Sequence, residues 1–127
     1  MNIYVFGNPL IPEDSGPVIL IPKLTKEFPE ISFVHADPSG NWWRGDTDLW
    51  IIDTVLGIHE VTLFTSLEEI ETTQSLTVHD YDLYMDLQLM KKLRKIKSFN
   101  IIGVPATKPA DTKKISEIIR EVSVKSV

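Results

Sequence analysis

The sequence predicts an α/β sandwich of doubly wound type, with a five-stranded, mostly parallel sheet and one antiparallel edge strand. Three observations predict it. Short apolar runs alternate along the chain with segments of helical period. Leu49–Val55 (LWIIDTV) is apolar on both faces, as a central parallel strand must be. Glu60–Thr65 (EVTLFT) alternates polar and apolar residues, which suits an edge strand that is antiparallel to the rest.

In chain order, Asn2–Phe6 is the first strand. Gly7 and Asn8 break its pattern, as residues that tolerate sharp turns do. Two carboxylates follow, Glu13 and Asp14, then Ser15 as an N-cap and Pro17 in a first helical turn. The helix is expected over 16–28, with Pro22 kinking or shortening it. Ile31–Ala36 is a second strand, ending at Asp37-Pro38. The third strand follows a polar loop, 39–48, that carries Trp42, Trp43 and Arg44 and has no helical pattern. Such a connection is near the floor of roughly 10–12 residues for a parallel crossover. Trp42 and Trp43 have two readings: an apolar wall for a peptide, or a cover for sheet left bare by the absent helix, which is favoured.

Asp53 interrupts the third strand near its C-terminal end, and Gly57 makes a turn. After the edge strand, 66–78 is irregular and acidic, with Glu68, Glu69 and Glu71. His79-Asp80 precede an amphipathic helix that places Leu83, Leu87, Met90 and Leu93 or Arg94 at helical spacing. Lys91, Lys92, Arg94, Lys95 and Lys97 enrich its end, where cations suit the helix dipole. Phe99–Val104 is the fifth strand, closed by Gly103 and Pro105. Asp111 caps a last helix with Ile115, Ile118, Ile119 and Val122 in one stripe, and 123–127 is expected to fray.

A chain of 127 residues suits one domain, 1–127. A net charge of −5 gives no electrostatic support for nucleic-acid binding. Without cysteine there is no disulfide, zinc–thiolate site, iron–sulfur ligation or thiol nucleophile. No apolar run approaches the roughly 20 residues that span a bilayer. The N-terminus enters a strand pattern without a charged leader, so a cytoplasmic location and no membrane insertion are expected.

Three ionisable residues fall at or near strand ends: Asp14 after the first strand, Asp53 at the end of the third, and His79 before a helix. In a parallel sheet those ends share one edge, where ligands bind. Oxygen and nitrogen donors without thiolate suit a divalent metal such as nickel, zinc or manganese. The plainer readings stay open: Asp14 as a helix-start carboxylate, Asp53 as a loop cap, His79 as a surface residue. Glu13 is read as substrate-facing or solvated, and His35 and His59 as structural or exposed. A phosphate cradle at Gly7-Asn8 is disfavoured by the neighbouring carboxylates, and a flavodoxin-like flavin site lacks its glycine-rich loop.

Gly7-Asn8-Pro9-Leu10, followed by Glu13-Asp14-Ser15-Gly16, resembles the opening motif of the nickel-iron hydrogenase maturation endopeptidases, Gly-Asn-x-Leu-x-x-Asp-Asp/Glu-Gly-x-Gly. Ile51-Ile52-Asp53-Thr54-Val55 is similar to that family's strand ending in Asp-Ala. Val78-His79-Asp80 before a Leu-rich helix, and Ile102-Gly103-Val104-Pro105, continue the likeness in the same order over nearly the whole chain. The sequence departs from the family pattern at Glu13, at Ser15 and Pro17 in place of glycines, and in lacking a helix between strands two and three.

The resemblance implies a three-layer, phosphorylase/hydrolase-like sandwich. It implies Asp14, Asp53 and His79 as metal ligands, and Asp37 as a further acidic residue near the cleavage site. It implies a metal-dependent endopeptidase that recognises nickel already loaded in a hydrogenase large-subunit precursor and removes a C-terminal extension. The nickel is supplied by that precursor, although another divalent metal would suit the donors. The precursor is the expected partner and a monomer the expected state. The alternative is a non-catalytic metal-binding or assembly factor on the same scaffold.

Overall fold

The computed structural model describes residues 1–37, 40–66, 68–69, 78–106 and 111–125. Its elements are β1 (Asn2–Phe6), a 3-10 turn (Pro12–Asp14), α1 (Gly16–Ile19), α2 (Ile21–Glu27), β2 (Ser32–Ala36), β3 (Asp48–Val55), β4 (Thr62–Phe64), α3 (Val78–Lys92), β5 (Ser98–Pro105) and α4 (Thr112–Lys125). The sheet is five-stranded, in the order β2-β1-β3-β5-β4. All neighbours are parallel except β4, which runs antiparallel to β5 at the edge. The expected fold class is therefore the observed one.

Strand order reverses between β1 and β3. From β1 the chain crosses to β2 on one side, then returns over β1 to β3 on the other. Right-handed crossovers require the two connections to lie on opposite faces. The first carries α1 and α2, which pack Leu20, Leu24 and Phe28 with Ile3, Val5, Ile52, Ile102 and Val104; α4 adds Ile115 and Ile119. On the other face Tyr4, Phe6, Ile51, Val55 and Ile101 pack with Leu83, Tyr84 and Leu87 of α3.

The return connection has no helix among its described residues, 37 and 40–47, and Trp42 takes a helix's place in the core. Its ring meets Tyr4 and Phe6 edge-on, each at a centroid distance of 5.1 Å. The tryptophan thus covers a face of β1, as expected from the missing helix, rather than walling a cleft. Polar bonds hold the loop down. The Trp43 indole donates to the Asp46 carbonyl at 2.8 Å. The Tyr4 hydroxyl donates to Asp46 Oδ1 at 2.6 Å and accepts the Arg44 amide at 3.1 Å. Burial, and then the bond to Asp46, raise the Tyr4 pKa, so the phenol remains a donor at neutral pH.

Several boundaries differ from the sequence reading. The expected helix over 16–28 is two helices, because Pro22 opens α2 in its first turn and Leu20 separates the pair. Ser15 occupies the N-cap position, yet its hydroxyl donates to the Pro12 carbonyl instead of capping. Strand β4 is shorter than 60–65, and Gly103 lies inside β5 rather than closing it. Its place there is steric: a Cβ would stand 2.8 Å from the Phe64 ring and 2.9 Å from Val55 Cγ2. Leu83 and Leu87 are buried, but α3 ends at Lys92 and leaves Leu93 exposed. Asp111 does cap α4, accepting the Lys114 amide at 3.2 Å. Helix α4 continues to Lys125, where fraying was expected from 123. The acidic stretch read over 66–78 lies mostly outside the described residues, as do 126–127. Among the described residues no helix is long and apolar enough to cross a membrane.

Candidate active site

The strand-order reversal between β1 and β3 opens a crevice beyond their carboxyl ends, the position where open α/β sheets bind ligands. Tyr4 pairs with Ile51 and Val5 with Ile52, so the next step along both strands brings Phe6 beside Asp53. The loop after Phe6 carries Asp14. Of the acids singled out in the sequence, Asp53 thus lies on β3 and Asp14 in the turn that follows β1.

Asp14 is positioned by a tight local network. The Asn8 amide donates to its Oδ2 at 2.9 Å, and its own amide donates to the Ile11 carbonyl at 2.9 Å. The Asn8 side chain accepts the Leu10 amide at 2.9 Å, and the Asn8 carbonyl accepts the Ile11 amide at 3.1 Å. This winding works only with glycine at 7. There φ is +155°, and a Cβ would lie 2.6 Å from the Asp14 carbonyl oxygen and 3.1 Å from Val18 Cγ2. The loop closes toward the sheet at Gly16, where a Cβ would come within 3.8 Å of Val104 on β5. Asp14 is half-buried, and its Oδ1 takes no hydrogen bond among the described residues.

Asp53 is only 4% exposed, and its Oδ1 accepts the Thr54 amide at 2.9 Å. A carboxylate withdrawn from water in the middle of a sheet is costly unless it is compensated, so such a residue marks a candidate functional site. It pairs in register with Gly103 and shares the face of Ile51 and Val55, the face that α3 covers. The link from α3 to β5 is short, so the last turn of α3 lies by the amino ends of the strands. Fifteen helical residues extend about 22 Å, which points the first turn back toward the carboxyl ends. Val78 and His79 open that turn. The His79 side chain lies outside the described residues, as does that of Glu13. Asp37 follows β2, one strand beyond β1, at the same rim; it is exposed, and its carbonyl accepts the Gly40 amide at 2.9 Å.

Among the described residues no three His, Asp or Glu side chains gather closely enough to hold one metal ion. The described part of the implied donor set is the pair Asp14 and Asp53, and carboxylate oxygens suit a divalent cation.

Two further residues lie beside these acids. His35 Nε2 donates to the Gly7 carbonyl at 3.0 Å, tying β2 to the glycine that the Asp14 loop depends on. The sequence held no signal for it, because only the parallel β1–β2 register brings residue 35 beside the end of β1. Thr54 is buried next to Asp53, and its Oγ1 has no hydrogen-bond partner among the described residues. An orphaned buried hydroxyl costs about 1–3 kcal/mol. Thr54→Val should therefore raise stability by about 1 kcal/mol, read as a higher urea midpoint. A loss of stability would mean that the hydroxyl is already satisfied within the folded chain.

No family model matches the chain, and no curated protein matches it. Among solved structures it is similar to the hydrogenase maturating endopeptidase HybD from E. coli, at 17% identity and a TM-score of 0.61. The match covers 87% of this chain and 78% of that one. The two share the fold, a five-stranded, mostly parallel α/β sandwich.

Proposed function

We propose that this chain is an endopeptidase that removes the C-terminal extension of a nickel-iron hydrogenase large-subunit precursor, recognising nickel already present in that substrate. The observation that carries the reading is a buried Asp53 near the carboxyl end of β3 together with Asp14 held in the turn that follows β1, the strand next to β3. The shared fold with a hydrogenase maturating endopeptidase supports it.

Asp14, Asp53 and His79 would hold the substrate's nickel, with each carboxylate oriented by one backbone amide. A divalent metal so held polarises a peptide carbonyl or a bound water. The residues of the chain position the substrate. The hydrogen-bonded loop around Asn8 sets the Asp14 carboxylate, and His35 braces that loop through Gly7. Asp37, one strand outward at the same rim, would lie along the path of the extension. On this reading the partner is the precursor, and the protein works as a cytoplasmic monomer.

The test is to incubate the protein with nickel-loaded and nickel-free precursor and to record intact masses. Loss of a C-terminal peptide from the loaded form alone supports the proposal. Cleavage of both forms at equal rates would refute nickel recognition. A second reading, a non-catalytic metal-binding or assembly factor, is favoured by the crossover, which has no helix among its described residues. It predicts precursor bound at full mass.

A further inference from the structure

At the opposite end of the sheet, a cavity of 730 Å³ opens beside the amino ends of β3 and β5. Its floor is Trp50, Asn100 and Leu63, from three neighbouring strands, and Ile118 and Val122 of α4 form one wall. Three carboxylates stand around it: Asp46, Asp48 and Glu121. Asp48 and Asp53 are five residues apart on β3, about 16 Å, so this cavity is separate from the crevice at the other rim.

The two aspartates are held by neutral donors. Asp48 accepts the Ser98 hydroxyl, the Asn100 amide at 3.1 Å and the Trp50 indole at 3.3 Å. Asp46 accepts the Tyr4 hydroxyl at 2.6 Å and the Asn2 amide at 3.3 Å. Such donors fix the oxygens without cancelling their charge. The ion pairs among the described residues, Lys114–Glu60 and Arg120–Glu27, involve none of these three acids. Met1 also lines the opening, so three carboxylates face one terminal amine there, and the net negative potential is one that a further cation would relieve.

We propose that this cavity binds a peptide segment in which an arginine or lysine adjoins an apolar side chain. The cation sits among Asp46, Asp48 and Glu121, and the apolar group packs on Trp50, Ile118 and Val122. The volume falls in the range of about 300–1,000 Å³ typical of ligand pockets. The fixed carboxylates suit the fork of a guanidinium.

The experiment is an amide-resolved NMR titration of the full chain with acetyl-leucyl-arginine amide. The Trp50 indole N–H and the Asn100 side-chain amide are expected to shift, while the amides of Asn8 and Thr54 at the far rim stay in place. The neutral analogue acetyl-leucyl-citrulline amide should bind at least about tenfold more weakly. Glu121→Gln, at an exposed position that leaves the core untouched, should lower affinity about threefold. Asp46→Asn combined with Glu121→Gln should lower it about tenfold. Equal binding of the citrulline analogue, unchanged affinity in both variants, or no shift at millimolar peptide would overturn the proposal. So would equal binding of acetyl-glycyl-arginine amide, which would leave the apolar wall without a role.

Discussion

Asp14→Asn and Asp53→Asn should each slow cleavage of the nickel-loaded precursor at least about a hundredfold while leaving the fold intact. The contrast between activity and stability makes these substitutions informative. An asparagine at 14 keeps an oxygen for the Asn8 amide, and one at 53 keeps an oxygen for the Thr54 amide. Structural roles in loop closure and strand ending are thereby preserved. What disappears is the negative charge, which matters only if a cation is held there. Initial rates from intact mass, together with urea unfolding of the same samples, decide the matter. His79→Ala should give a comparable loss. Rates within threefold of the parent protein in all three variants would reduce both acids to architecture.

The second large effect is on stability. Trp42→Ala should cost about 3–5 kcal/mol, a large share of the roughly 5–15 kcal/mol typical of a folded domain. Trp42 stands where the crossover would otherwise place a helix, edge-on to both Tyr4 and Phe6. Truncating it uncovers the middle of β1 and leaves a void that nearby chain cannot fill, since the loop is tethered through Asp46. Trp42→Phe should cost less, because an aromatic edge contact survives. The measurement is the urea midpoint with its slope. A loss under about 1 kcal/mol for Trp42→Ala would mean that the loop collapses freely onto the sheet.

The proposed peptide cavity and the proposed cleavage crevice lie at opposite ends of β3, so the two can be tested separately. If both hold, the chain could grip a basic segment at one rim while presenting Asp14 and Asp53 at the other. Charge changes at Glu121 would then alter affinity for a partner without touching the chemistry.

Much of the architecture was legible from local pattern. The doubly apolar run at Leu49–Val55 marks a strand buried on both faces, and it proves to be completely buried from Leu49 onward. Pro22 announced a break that the two short helices realise, and Asp111 announced a cap. These features are local because backbone geometry and burial periodicity act over a few residues. Ser15 misled because its hydroxyl donates to the Pro12 carbonyl of the adjoining 3-10 turn instead of accepting a helix amide.

The candidate residues Asp14, Asp53, His79 and Asp37 were also visible in the sequence, as acids and an imidazole at strand and helix ends. Strand order was not. Whether Asp14 and Asp53 neighbour each other depends on β1 lying next to β3, a pairing between residues nearly fifty positions apart. The same long-range pairing sets His35 against Gly7, buries Trp42 over β1, and leaves a cavity under α4. Residue types and their periods come from the chain alone. Which of them meet is decided by how strands separated in sequence find one register, because that register places the side chains in space.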